Sequence, residues 1–151
     1  MTLRLPDIHR LAVRYVPTVA ADRRLFDDDA RSWWPAHEIG HFLVATSAEC
    51  RERKFGIGLG AEAGTAKHRY IVAKEIAAMS ISQRLLRGAG HAEIADEEVQ
   101  FTDEWTLEFS FERWCRHAVT KLMQANRTRR LPRTVAGLNR LLARKTRGMS
   151  Q

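Results

Sequence analysis

Trp33-Trp34-Pro35-Ala36-His37-Glu38-Ile39-Gly40-His41-Phe42-Leu43-Val44-Ala45 is the stretch around which the chain is organised. Its centre, His37-Glu38-Ile39-Gly40-His41, is an HExxH pattern. Residues four apart on a helix share one face, so a helix here points both imidazoles the same way, one turn apart. That spacing suits two ligands to one zinc ion, with Glu38 beside it as general base. Ile39, Phe42, Leu43, Val44 and Ala45 make the segment apolar on most sides, the mark of a buried helix. Two imidazoles and a carboxylate buried there without partners would cost several kcal/mol, and a divalent ion satisfies them directly.

Working outward, the helix is expected over about 33–51; Pro35 is comfortable only in a first turn, so the helix either starts just before it or starts near Asp29 and kinks. A tetrahedral zinc that keeps one position open needs a third protein ligand. Glu75 is the leading candidate, a carboxylate in the otherwise apolar stretch Ala73-Lys74-Glu75-Ile76-Ala77-Ala78-Met79. That stretch lies within a long helix expected over about 65–87, ended by Gly88 and Gly90. The blander role for Glu75 is a solvated partner of Lys67, Arg69 or Lys74. Asp96, Glu97 and Asp103 are rival ligands in a more polar region. His68 and His91 are weaker ones, and either as a fourth ligand would close the site.

The remaining elements are read more coarsely. Residues 8–16 alternate Leu11, Val13 and Tyr15 with Ala12 and Arg14, and are expected as a half-buried strand ended by Pro17, with a short helix as the alternative. Asp27-Asp28-Asp29 favours a helix start. The segment 54–59 alternates glycine with apolar residues and reads as a short strand or loop; it lacks the spacing of a dinucleotide fingerprint. A third helix is expected from Thr102 to about Asn126, and a fourth from Pro132 to about Lys145. The expected fold is α+β and mostly helical, with the HExxH helix packed on a second helix and a small sheet, and basic helices at the C-terminus.

The length of 151 residues fits one ordinary domain. No apolar run approaches the roughly 20 residues that span a bilayer, and the N-terminus lacks the unbroken apolar core of a signal peptide, so a cytoplasmic protein is expected. Cys50 and Cys115 have no metal-type spacing and read as reduced thiols. The charge is uneven. Residues 1–112 carry 14 Lys/Arg against 18 Asp/Glu, and residues 113–151 carry 11 Lys/Arg and no acid. The expected division is a body over residues 1–126, which houses the HExxH site and is expected to be metallopeptidase-like, and a basic extension over 127–151 packed on or appended to it. Arg127, Arg129, Arg130 and Arg133 form its densest stretch. This is either a solvated face or an attraction to nucleic acid or an acidic protein. No helix-turn-helix or zinc-finger pattern supports sequence-specific DNA reading.

The second helix carries a family resemblance. In the ImmA/IrrE-like metallopeptidases an HExxH helix is followed by a helix patterned Glu-x-x-Ala-Asn-x-Phe-Ala-x-x-Leu-Leu, often ending Met-Pro. Here Glu75, Ala78, Leu85 and Leu86 match in register, Ile81 stands for the aromatic residue and Ser82 for the small one. Met79 departs from Asn, and Arg87-Gly88 from Met-Pro. The resemblance covers about residues 33–88. It implies a zincin-like domain with His37, His41 and Glu75 as zinc ligands, Glu38 as catalytic base, and a regulatory cut in a protein substrate. The chain also resembles, less closely, small relatives of the FtsH-type peptidase domain, whose third ligand is a downstream Asp; that would favour Asp96 or Asp103.

The expected activity is zinc-assisted hydrolysis of a peptide bond, with Tyr70 and His68 as candidate donors to the transition state and the segments 8–16 or 54–59 as a substrate edge. The alternative is a non-catalytic binding protein, in which the metal is structural and the basic C-terminal helices hold nucleic acid or an acidic partner.

Overall fold

A computed structural model describes residues 2–21, 31–52, 65–102 and 104–149. The segments expected to cap a helix at 27–29 and to run extended at 54–59 lie outside the described residues, as does Asp103. Among the described residues the protein is mostly helical: α1 (Leu5–Tyr15), α2 (Pro17–Ala21), α3 (Trp34–Val44), α4 (Ser47–Glu52), α5 (Ala66–Gly88), α6 (Ala92–Phe101), α7 (Glu104–Phe109), α8 (Arg113–Ala125) and α9 (Val135–Met149). None is long and apolar enough to cross a membrane.

Residues 8–16 are a correction to the expected strand: they lie in α1 and the turn after it. The buried positions are Leu5, Ile8, Leu11, Ala12, Val16 and Val19, a helical period that the local alternation of Leu11, Val13 and Tyr15 obscured. Pro6 sits in the first turn, and the Arg4 amide donates to Asp7 Oδ2 at 3.0 Å, which opens the helix. The expected small sheet is likewise not seen among the described residues. An isolated bridge between Thr2 and Thr134 takes its place, with the Leu3 amide donating to the Arg133 carbonyl at 3.0 Å.

The HExxH helix is shorter than expected, because α4 nucleates separately. The Thr46 amide donates to Glu49 Oε2 at 3.1 Å and the Glu49 amide donates to Thr46 Oγ1 at 3.2 Å, a reciprocal capping box. Ala45 is extended and ends α3. The helix expected from 102 to 126 is also broken. Ser110 Oγ turns back to the Leu107 carbonyl at 2.6 Å, Glu112 is extended, and α8 starts afresh. α9 starts three residues after Pro132, where Thr134 Oγ1 accepts from the Gly137 amide at 3.1 Å.

α3 packs most extensively against α5 and also touches α1 and α2. Ile8, Val19, Ile39, Phe42, Leu43, Ile81, Leu86 and Ile94 are fully buried in one core. Leu138 and Leu142 of α9 are fully buried in that core too, and Tyr15 donates to Asn139 Oδ1 at 2.7 Å to tie α9 to α1. The α3–α5 crossing is close because of Gly40. A Cβ there would collide with the backbone carbonyl oxygen of Ala78 and lie 2.8 Å from its Cα.

Candidate metal centre

The α3–α5 crossing is also where the candidate metal ligands sit. His37 and His41 flank Gly40 on α3, and Glu75 lies one turn before Ala78 on α5. His41 Nε2 is 3.0 Å from His37 Nε2 and 3.2 Å from Glu75 Oε1, and His37 Nε2 is 3.4 Å from Glu75 Oε2. Bonds of about 2.0–2.1 Å to a tetrahedral zinc set neighbouring donor atoms roughly 3.3 Å apart. The three side chains thus offer two imidazole nitrogens and one carboxylate at ligand spacing, and they form a group able to hold a metal ion.

The site has an orienting layer that the sequence reading missed. His37 Nδ1 donates to Glu98 Oε2 at 2.9 Å. Glu98 is 1% exposed, and its other oxygen accepts from Gln83 Nε2 at 2.7 Å. The Gln83 amide also donates to the Ala95 carbonyl at 2.7 Å, which locks the arrangement to α6. With its Nδ1–H committed to a carboxylate, His37 turns Nε2 toward Glu75 and His41. Glu98 shares its buried face with Ile94 and Ala95, and that i, i+4 register was the available signal. Trp33 sets its ring edge-on to His37 at 5.6 Å and meets Phe101 at 5.8 Å.

Electrostatics follow from this crowding. Burial opposes a charge on His37, but hydrogen bonds to Glu75 and Glu98 and their charges outweigh it and raise its pKa to about 9. Burial likewise opposes the Glu75 charge, yet hydrogen bonds and charge from His37 and His41 hold its pKa down to about 2. These shifts favour a positive charge beside the Glu75 and Glu98 carboxylates. The Nδ1 atom of His41 is buried without a hydrogen-bond partner among the described residues.

The other candidates fall elsewhere. Glu38 is half-buried and its Oε2 accepts from Thr18 Oγ1 of α2 at 3.1 Å. Tyr70 donates to Glu49 Oε1 at 3.3 Å, beneath a Lys74 Nζ that pairs with the same oxygen at 2.6 Å. Burial and the adjoining Glu49 raise the Tyr70 pKa. His68 is buried with its ring edge-on to Phe109 at 5.3 Å. Asp96 is exposed and pairs with Arg87 at 2.7 Å, and Glu97 is exposed. His91 pairs with Glu93 at 2.9 Å. Arg127, Arg129, Arg130 and Arg133 are exposed on the loop between α8 and α9.

Comparison with models of known protein families, with characterised proteins and with solved structures gives no match to this chain.

Proposed function

We propose that the protein is a zinc-dependent metallopeptidase of zincin-like fold, akin to the ImmA/IrrE-like enzymes, that hydrolyses peptide bonds in a protein substrate within the cytoplasm. The observation that carries this reading is the triangle of His37 Nε2, His41 Nε2 and the Glu75 carboxylate, with sides of 3.0 to 3.4 Å. The donor set fits zinc, since two neutral imidazoles and one carboxylate leave a fourth tetrahedral position open. When bound, zinc supplies a Lewis acid that polarises the scissile carbonyl and brings the pKa of a coordinated water toward about 7.

The remaining work belongs to the chain's own side chains. Glu38 follows His37 directly, and its carboxylate is the base that removes a proton from the attacking water and returns it to the leaving amine. The Thr18 hydroxyl fixes one oxygen of Glu38 at 3.1 Å and leaves the other to exchange the proton. Glu98 holds the His37 tautomer and ring angle, and Gln83 holds Glu98. Trp33 shields one edge of His37 from solvent.

The test is metal content followed by turnover. Purified wild-type protein should hold about one zinc per chain. Glu38→Gln should keep that zinc and lose cleavage of a quenched-fluorescent peptide library. A folded protein that takes up no zinc would overturn the metal centre. Retained cleavage in Glu38→Gln would remove Glu38 from its role. Zinc retained with no cleavage by the wild type across the library would favour the non-catalytic binding protein.

A further inference from the structure

Residues 128–133 have no regular structure, yet their backbone is fixed at three places. The Thr128 amide donates to the Met123 carbonyl at 2.8 Å, Arg84 Nη1 donates to the Arg129 carbonyl at 2.9 Å, and the Leu3 amide donates to the Arg133 carbonyl at 3.0 Å. Between this loop, the N-terminal strand-like residues and the last turns of α5 runs a groove. Its rim is basic: Arg84, Arg87, Arg129, Arg130 and Arg133. Its floor is largely apolar: Leu3, Leu85, Leu131 and Pro132.

Among the described residues the charge there is only partly compensated. Arg87 pairs with Asp96, and Arg84 is committed to backbone carbonyls. No carboxylate among the described residues pairs with Arg129, Arg130 or Arg133. Arg129 and Arg130 also line a neighbouring hollow with Arg127. Arg127 holds a φ of +55°, a left-handed position after a helix where glycine is favoured and a long charged side chain is uncommon.

We infer that this groove binds an extended, acidic segment of a partner protein in which apolar side chains alternate with carboxylates. Alternate residues of an extended segment point to opposite sides, so apolar groups reach the floor while carboxylates meet the guanidinium rim. Planar guanidinium forks match carboxylates bidentately. A phosphate backbone would use the rim but leave the floor without a role. Among the described residues no aromatic ring lines the groove on which unpaired bases would stack. The inference is independent of whether the metal centre hydrolyses peptides.

The experiment is fluorescence anisotropy on the full chain with labelled probes: an Asp-Leu repeat peptide, Ser-Leu and Asp-Ser repeats of equal length, and a short single-stranded and a duplex oligonucleotide. The Asp-Leu peptide should bind at least about tenfold tighter than every other probe. The triple variant R129E/R130E/R133E should lose at least about tenfold in that affinity, while Arg144→Glu, an exposed α9 residue outside the groove, should not. An unchanged circular dichroism spectrum shows that the triple variant is folded. Oligonucleotide binding as tight as the peptide's would replace the proposal with sequence-independent nucleic-acid binding. Equal binding of Ser-Leu, or indifference to the triple charge reversal, would overturn it.

Discussion

Glu98 and Gly40 shape the proposed site without touching a metal. Glu98 is a buried carboxylate whose one oxygen orients His37 and whose other is held by Gln83. Removing such a partner costs metal ligands about 10–100-fold in affinity. Glu98→Ala should therefore weaken zinc binding by that order in competition with a calibrated chelator. Equal affinity would make Glu98 a purely structural acid. Glu75→Ala should do more, because it removes a ligand, and near-normal zinc affinity there would exclude Glu75 from the site. The motif itself was legible in the sequence, since five residues on an apolar helix carry it. Glu75 stood out as a lone acid among apolar neighbours. Glu98 did not, because it closes the acid-rich run Glu93 to Glu98, in which only register with Ile94 and Ala95 separates it from exposed Asp96 and Glu97.

At the scale of elements, the distance between α3 and α5 sets the distance between the ligands. Gly40 permits that approach, and any side chain there must push against the Ala78 backbone. Gly40→Ala is expected to destabilise the fold by about 1–3 kcal/mol, as overpacking does, despite alanine's better helix propensity. It should also lower zinc affinity, because Glu75 moves with α5. Thermal unfolding with and without zinc checks both, and a variant as stable and as tightly zinc-binding as wild type would refute the crossing as the determinant. The lengths of the helices were less legible than their presence. Thr46-Ser47-Ala48-Glu49 is a capping box inside the single helix expected over 33–51, so α3 and α4 merged in the sequence reading. Residues 8–16 show the opposite error. A short alternation resembled a strand, but burial of Leu5, Ile8, Leu11, Ala12 and Val16 follows the longer helical period.

For the whole molecule, the ligand cluster also shapes stability in the metal-free state. His37 has a folded pKa of about 9 against an ordinary 6.5. Its contribution is fully present below pH 6.5 and is lost as pH rises through about 9. Glu75 has a folded pKa of about 2 against an ordinary 4.5. Its contribution is present above pH 4.5 and is lost as pH falls through about 2. With chelator present, the cluster should stabilise the fold most between pH 4.5 and 6.5, and the Tm should fall from pH 6.5 toward 9. A Tm that rises across that upper interval would contradict the ion pairing of His37. A single core joins these parts. α9 supplies Leu138 and Leu142 to it, and Lys145 donates to the Ala45 carbonyl at the end of α3 at 2.8 Å. The charge asymmetry of the sequence foretold a basic C-terminal quarter but not the groove, which needs α5 and the N-terminus beside the loop.

The central claim is that His37, His41 and Glu75 hold one zinc ion. Anomalous scattering at the zinc edge from crystals of the zinc-loaded protein tests it most directly. The predicted result is a single peak about 2.0–2.2 Å from both Nε2 atoms and from a Glu75 carboxylate oxygen. A peak ligated by other side chains, or no peak between α3 and α5, would contradict it.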